Sequence, residues 1–273
     1  MLTMIAFASN SLLNRVALGQ NAIDPVSYTT VRLVSGAMML FIIASLQRKN
    51  EQPVLRGSWF SAAFLFLYAL TFSFAYRNLS AGTGALILFG SVQITMLVFA
   101  LRCGERPQPW EWVGLFLALG GLVYLVFPGI KAPSLLGSTL MTIAGIAWGF
   151  YTIRGRGLQN PLAVTAGNFV YAVPMALVIL AISFKNILIS SNGIFYAVVS
   201  GALASGVGYV IWYAALRGLT TTRAAMVQLS VPVIAAWGGV LFLAEHVSAR
   251  LLIAGVLILS GITMALLSKQ KKA

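Results

Sequence analysis

Ten times along the chain, an apolar run of about 17–24 residues ends at a charged, Pro-, Gly- or Asn-containing break. At a rise of about 1.5 Å per residue, a helix of ~20 residues crosses the roughly 30 Å hydrocarbon core of a bilayer. That recurrence confines the chain to folds that live in lipid, where a helix satisfies its backbone hydrogen bonds internally. The expected spans are 2–18, 27–46, 59–76, 81–101, 110–127, 135–153, 162–183, 194–216, 222–243 and 249–267 of 273 residues. Little remains beyond short connectors, and no stretch is left for a separate soluble domain. The breaks are Asp24-Pro25, Arg48-Lys49-Asn50, Pro107 with Pro109, Pro128-Gly129, Asn160-Pro161 and Ser191-Asn192-Gly193, all of them turn or interface chemistry. Trp59, Trp110 and Trp112 stand at span starts, where an amphipathic indole prefers the headgroup layer. Met1 to Leu18 has neither a basic leader nor a small-residue cleavage site and reads as a first span rather than a signal peptide.

Charge agrees with this. Only 8% of residues are charged against 59% hydrophobic, far below the ~25% that wets a soluble domain. The net charge of +13 is no nucleic-acid footprint, which needs a basic patch on a wetted surface. The cations instead flank apolar runs. Even-numbered connectors and the C-terminal tail hold twelve Lys and Arg, whereas odd-numbered connectors hold four: Arg77, Lys131, Lys185 and Arg250. Cytoplasmic loops collect Lys and Arg, so both termini are expected in the cytoplasm. The single cysteine, Cys103, excludes an internal disulfide.

Shifted by 140 residues, the chain meets itself. Arg77-Asn78-Leu79-Ser80 falls on Arg217-Gly218-Leu219-Thr220, Ala85 on Ala225, Glu105 on Glu245 and Gly121 on Gly261; an offset of 141 puts Arg15 on Arg156. Two repeats are expected, 1–130 and 131–273. Each has five spans, so the second copy enters the membrane upside down, an arrangement by which secondary transporters build two gates around one central site. The fold class is therefore an all-α polytopic membrane protein with about ten transmembrane helices in two inverted-topology five-helix repeats.

Several short patterns then fall in order. The first repeat has Ala8-Ser9-Asn10, Arg15, Pro25 with Arg32, Gly104-Glu105-Arg106, Trp112-Val113-Gly114 and Gly120-Gly121. The second has Ala147-Trp148-Gly149, the run Trp212 to Arg217, Pro232, Ala244-Glu245 and Gly261. Across essentially its whole length the chain resembles the drug/metabolite transporter superfamily, in its EamA-type branch of two five-helix repeats. The resemblance implies a bacterial inner-membrane protein with a central cavity lined by the first, third, fourth, sixth, eighth and ninth helices. It further implies export or exchange of amino acids, related metabolites or toxic organic compounds. Three positions depart from the pattern: Phe7 replaces a Trp, no Pro lies near Val92-Gln93, and Ala254 replaces a Gly. The missing Pro leaves open whether the fourth helix unwinds.

Polar side chains within lipid face a cavity or another helix. Asn10 and Asn14, one turn apart, and Gln93, Asn168 and Gln228 are thus either interhelical glue or substrate contacts, amides offering donors and acceptors alike. Trp148, Tyr151, Tyr209, Trp212 and Tyr213 form an aromatic set on the sixth and eighth spans; packing competes with a pocket wall, and the mid-span positions of Trp148 and Tyr209 favour the wall. Tyr68 and Tyr76 repeat the theme. Gly201, Ala204, Ser205 and Gly208, like Gly145 and Gly149, read as close helix packing. Arg32 lies about five residues into its span, roughly 8–10 Å deep. It is expected to snorkel outward, with Asp24 as a partner, or else to sense charge by holding a substrate carboxylate; Arg15 reads the same way. The acids Asp24, Glu51, Glu105, Glu111 and Glu245 all fall in or near connectors, and His246, the sole histidine, sits at a span end. No catalytic residue, metal site or cofactor is expected. A metal centre lacks its ligand cluster, a Ser–His–Asp triad lacks a placed His, and Arg154-Gly155-Arg156-Gly157 is too short for a phosphate loop. The expected partners are a small-molecule solute and the lipid bilayer, not nucleic acid, with the chain acting as a monomer or homodimer. The expected activity is alternating-access transport; the competing classes are a multi-span membrane enzyme and a non-transporting solute-binding protein.

Overall fold

A computed structural model describes residues 2–47, 55–103, 109–127, 132–155, 158, 160–216, 228 and 230–268. Ten long helical segments run through the described residues. The first five are α1 (Leu2–Gly19), α2 (Pro25–Leu46), α3 (Trp59–Ala75), α4 (Ala81–Arg102) and α5 (Pro109–Val126). The second five are α6 (Leu135–Arg154), α7 (Pro161–Ile182), α8 (191–216), α9 (Ser230–Leu243) and α10 (Ala249–Ser268). Pro25-Leu46, Leu135–Arg154, Pro161–Ile182 and the stretch Ser191–Trp212 are long and apolar enough to cross a membrane by length and composition, and five shorter apolar helices accompany them. The start of the expected ninth span, 222–227 together with 229, lies outside the described residues.

Local chemistry sets the helix starts. The Asp24 carboxylate accepts from the backbone N–H groups of Val26 and Ser27 ahead of Pro25 at the first helical position, and Asn160 does the same for Ala163 ahead of Pro161. Ser80, Ser134 and Ser190 cap α4, α6 and α8 through the N–H groups of Thr83, Gly137 and Gly193. Each side-chain acceptor satisfies a donor that a helix start leaves unpaired. The eighth span was expected from 194; the Ser190 cap starts it at Ser191. No helical break occurs in α4 near Gln93, nor at Pro232, the third residue of α9 as described.

Connectors sort cleanly by end. At one end Ile23 and Ile189 form an isolated antiparallel bridge, with Asp24 N donating to Leu188 O at 2.8 Å and Ser190 N to Ala22 O at 3.0 Å. Arg15 donates to the carbonyls of Tyr76 and Arg77, and Arg250 to that of Phe127 at 2.7 Å. Together with the bonds that Arg15 Nε and Ala81 N make to the Glu245 carboxylate, these tie together the turns after α1, α3, α5, α7 and α9. At the opposite end, Arg56 N donates to Ala163 O at 2.9 Å, and Arg154 Nε to Ser61 Oγ at 3.1 Å. Odd-numbered connectors thus share one end, and the described connectors after α2 and α6 share the other, as helices that each cross once require.

Helix pairings also respect the repeat. The main partners are α5 with α10, α2 with α7, α4 with α9, α3 with α6 and α7, α8 with α1 and α2, α4 with α6, and α9 with α1. Exchanging each helix for the one five places away returns the same set. The seam shows it at atomic scale: a Cβ on Gly121 would meet Leu257 Cβ at 2.8 Å, and one on repeat-related Gly261 would meet Gly114 O at 2.6 Å. Close packing of small residues is what draws helices together in lipid.

Candidate functional site

Aromatic side chains from both halves converge in the middle of the bundle. Trp148 (α6) lies 4.8 Å from Tyr68 (α3), 5.4 Å from Tyr151 and 5.4 Å from Tyr209 (α8), centroid to centroid. Phe7 (α1) stands 5.9 Å from both Tyr209 and Trp212, and Phe169 (α7) 5.9 Å from Tyr209. Most of these pairs are tilted or edge-on, the geometry that the ring quadrupole favours. Tyr68, Tyr151, Tyr209 and Trp212 are buried, while Trp148 is half-buried. The side chain of Tyr213 lies outside the described residues. Phe7 sits where the family pattern has a Trp, and so keeps an aromatic ring in the cluster.

A polar core adjoins the rings. Arg32 on α2 is 3% exposed. It does not snorkel, and it does not pair with Asp24, whose oxygens cap α2 and accept from Leu188 N. A stem anchored about two turns into the helix points instead at the bundle centre. Its Nη2 donates to Tyr68 Oη at 3.2 Å, Nη2 and Nε each approach Ser205 Oγ at 3.4 Å, and the guanidinium carbon lies 5.4 Å and 5.3 Å from the Tyr68 and Phe72 ring centres. Nη1 is buried with no hydrogen-bond partner. Asn10 Oδ1 accepts from Ser200 Oγ at 2.8 Å and Ser205 Oγ at 3.5 Å, placing Asn10 beside the same group.

Ser200 and Ser205 were not legible as a pair. Five residues apart on an α-helix, they would diverge by about 140°. Val199–Val207 is a π-helix, whose i→i+5 bonding brings such residues nearly into line. A sequence read with an α period sees only a stripe of small residues there. That stripe does pack: a Cβ on Gly201 would collide with the Arg32 carbonyl and Ser35 Oγ. Likewise Gly145 and Gly149 meet Ser91 and Thr95 of α4.

The remaining candidates separate. Asn14, fully buried, donates to Asn10 O at 2.8 Å and accepts from Ser73 Oγ at 3.3 Å, and Thr29 Oγ1 donates to Ser73 Oγ at 2.9 Å; it joins α1 to α3 and α2 rather than the rings. Gln93 is buried with Nε2 unpartnered. Asn168 accepts from Ser58 N at 2.9 Å and reaches Tyr151 Oη at 3.5 Å. Gln228 is half-buried between residues outside the described set. Arg15 reaches toward its own end of the bundle rather than the centre: its Nε lies 3.1 Å from Glu245 Oε1, the one ion pair among the described residues. Glu245 Oε2 also accepts from Ala81 N at 2.8 Å. Its repeat-related pair, Arg156 and Glu105, lies outside the described residues.

A cavity of about 250 Å³ opens at the end holding the second and sixth connectors, between Arg56, Ser58, Ser61, Arg154 and Asn168. Tyr151 belongs both to its wall and to the aromatic cluster. A second, apolar groove of about 570 Å³ lies among α4, α9 and α10 with exposed Trp237, Leu252 and Val256 on its walls, and holds none of the candidates. Among the described residues no cluster of His, Cys, Asp and Glu could hold a metal ion.

The sequence profile of the EamA-like transporter family matches residues 1–127 and again 135–267. An uncharacterized protein of Pseudomonas aeruginosa is 50% identical over 100% of this chain and 94% of its own length. The uncharacterized transporter YoaV of Bacillus subtilis is 22% identical over 90% of this chain and 89% of its own. The uncharacterized inner membrane transporter YedA of Escherichia coli is 25% identical over 56% of this chain and 51% of its own. A solved crystal structure superposes with a TM-score of 0.68 at 20% identity, covering 99% of this chain and 98% of that one, a likeness of fold.

Proposed function

Because the chain belongs to the EamA-like transporter family, and is therefore a membrane transporter rather than an enzyme, we propose that it exports or exchanges a small organic metabolite by alternating access. Its solute rests against the aromatic cluster, and the repeats 1–130 and 131–273 rock about that point. The supporting observation is the convergence on Trp148 of rings from α3, α6 and α8, a surface made by both halves. Rings stack on flat solutes, and the amide of Asn10 and the guanidinium of Arg32 add orientation to a mainly apolar wall. The Lys and Arg asymmetry supports cytoplasmic termini, and the printed name of the Escherichia coli relative supports an inner membrane. In that orientation the conformation described is closed outward, across the Arg15–Glu245 pair and the Ile23–Ile189 bridge.

The test compares solutes accumulated outside cells that overproduce wild-type protein, Trp148→Ala protein, or neither. Wild type is expected to raise specific external solutes, and Trp148→Ala to abolish that rise at equal membrane abundance. Full export by Trp148→Ala would refute the pocket.

A further inference from the structure

We infer that Arg32 is the anchor for a carboxylate, and that the solutes taken are organic acids whose apolar body lies on the Trp148 cluster. This deepens the carrier reading and rests on it for its physiological sense.

A guanidinium stays charged inside proteins, and a charge removed from water is ordinarily matched by an opposite charge. Arg32 has no such match among the described residues. The acids with described side chains are Asp24, which caps α2 and the turn at Leu188, and Glu245, which holds Arg15 and Ala81 N. What Arg32 does have is weak: hydroxyl contacts at 3.2–3.4 Å to Tyr68 and Ser205, and two ring faces. Its Nη1, buried and without an acceptor, leaves donor capacity of the guanidinium unused. A carboxylate oxygen is the acceptor that matches such a donor, in a charge-assisted bond stronger than a neutral hydroxyl supplies. Residues that are ionisable and buried within a membrane bundle are costly, and mark substrate paths.

Surroundings give the rest of the solute its shape. Tyr68 touches Arg32 with its hydroxyl and Trp148 with its ring, so charge and aromatic wall are one side chain apart. The described walls hold no carboxylate to receive an ammonium, which favours a simple acid over a diamine or cation. The cavity beyond Tyr151 carries a second mark of the same sign. Arg56 and Arg154 line it, Arg154 being held by Ser61 and Ser58 hydroxyls, so an acid approaching the rings from that end meets positive potential first.

The experiment is thermal unfolding of purified wild-type protein in detergent with matched probes: phenylacetate and indole-3-acetate, their neutral amides, the cations phenethylamine and tryptamine, and chloride alone. At least one acid is expected to raise the Tm, with its amide, its amine and chloride giving no comparable rise. In Arg32→Gln the acid's apparent affinity is expected to fall at least tenfold, and in Arg32→Lys to fall less. The acid-against-amide comparison uses wild-type protein alone, so it stands whether or not the variants fold. Equal stabilisation by amide or amine, stabilisation by chloride alone, retention of acid binding in folded Arg32→Gln, or no rise with either acid would overturn the anchor and leave the carrier reading intact. Acid-specific binding without counterflow of that acid in proteoliposomes would instead contradict the carrier reading and leave the anchor standing.

Discussion

Arg15 and Glu245 are separated by 230 residues in sequence and meet at 3.1 Å. Their side chains are 30% and 14% exposed, so water screens part of the attraction. The geometry behind the pair is specific all the same. Ala244 holds a left-handed backbone at φ 51°, which costs an L-residue about 1–2 kcal/mol, and directs the following carboxylate onto both Arg15 and Ala81 N. We expect Glu245→Gln and Arg15→Gln each to lower stability, and the double variant to lose less than their sum, with a coupling of about 1 kcal/mol. A double-mutant cycle by detergent unfolding measures it; additive losses would show that the pair is incidental. At this scale the sequence was half legible. Aromatic residues at mid-span, and Asn10, could be singled out because lipid penalises unpaired polar groups. The direction in which Arg15 and Arg32 point could not, because a long stem reaches either toward the interface or toward the bundle.

Among elements, α8 departs furthest from the regular helix its apolar pattern suggests. Its π stretch aligns Ser200 and Ser205 on Asn10, and Gly201 lets it lie directly on the α2 backbone at Arg32. One substitution at two glycines separates packing from propensity. Gly201→Ala forces a Cβ into the Arg32 carbonyl and should cost about 1–3 kcal/mol as overpacking. Gly120→Ala on α5 meets nothing within 4 Å and should gain up to about 1 kcal/mol from helix propensity. Thermal unfolding of the two variants side by side checks the signs; a harmless Gly201→Ala would mean that α2 and α8 are not in close register. Helix starts were read within a few residues because caps such as Asp24-Pro25 and Asn160-Pro161 declare themselves in sequence. The π stretch was not, since nothing in its small residues changes the hydrophobic period.

For the whole molecule, the 140-residue offset in sequence reappears as an exchange symmetry of helix pairs, with Gly121 and Gly261 at the α5–α10 seam. An apolar pattern reports burial, whereas the repeat reports arrangement, and that is why the two-repeat organisation was legible in sequence while the individual helix contacts were not. At the end holding the odd-numbered connectors, the Ile23–Ile189 bridge joins the turns after α1 and α7. Its flanking bonds, Asp24 N to Leu188 O and Ser190 N to Ala22 O, make Ile23 and Ile189 a non-hydrogen-bonded pair, whose Cα atoms ordinarily stand about 4.5 Å apart, within disulfide range. If the carrier works by opening its two ends in turn, a covalent link here must stop it. The direct measurement is export by cells carrying Ile23→Cys with Ile189→Cys in a Cys103→Ser background, under oxidant and then reductant. The account predicts that oxidation halts export of the solutes raised by wild type and that reduction restores it. Undiminished export by fully cross-linked protein would contradict it.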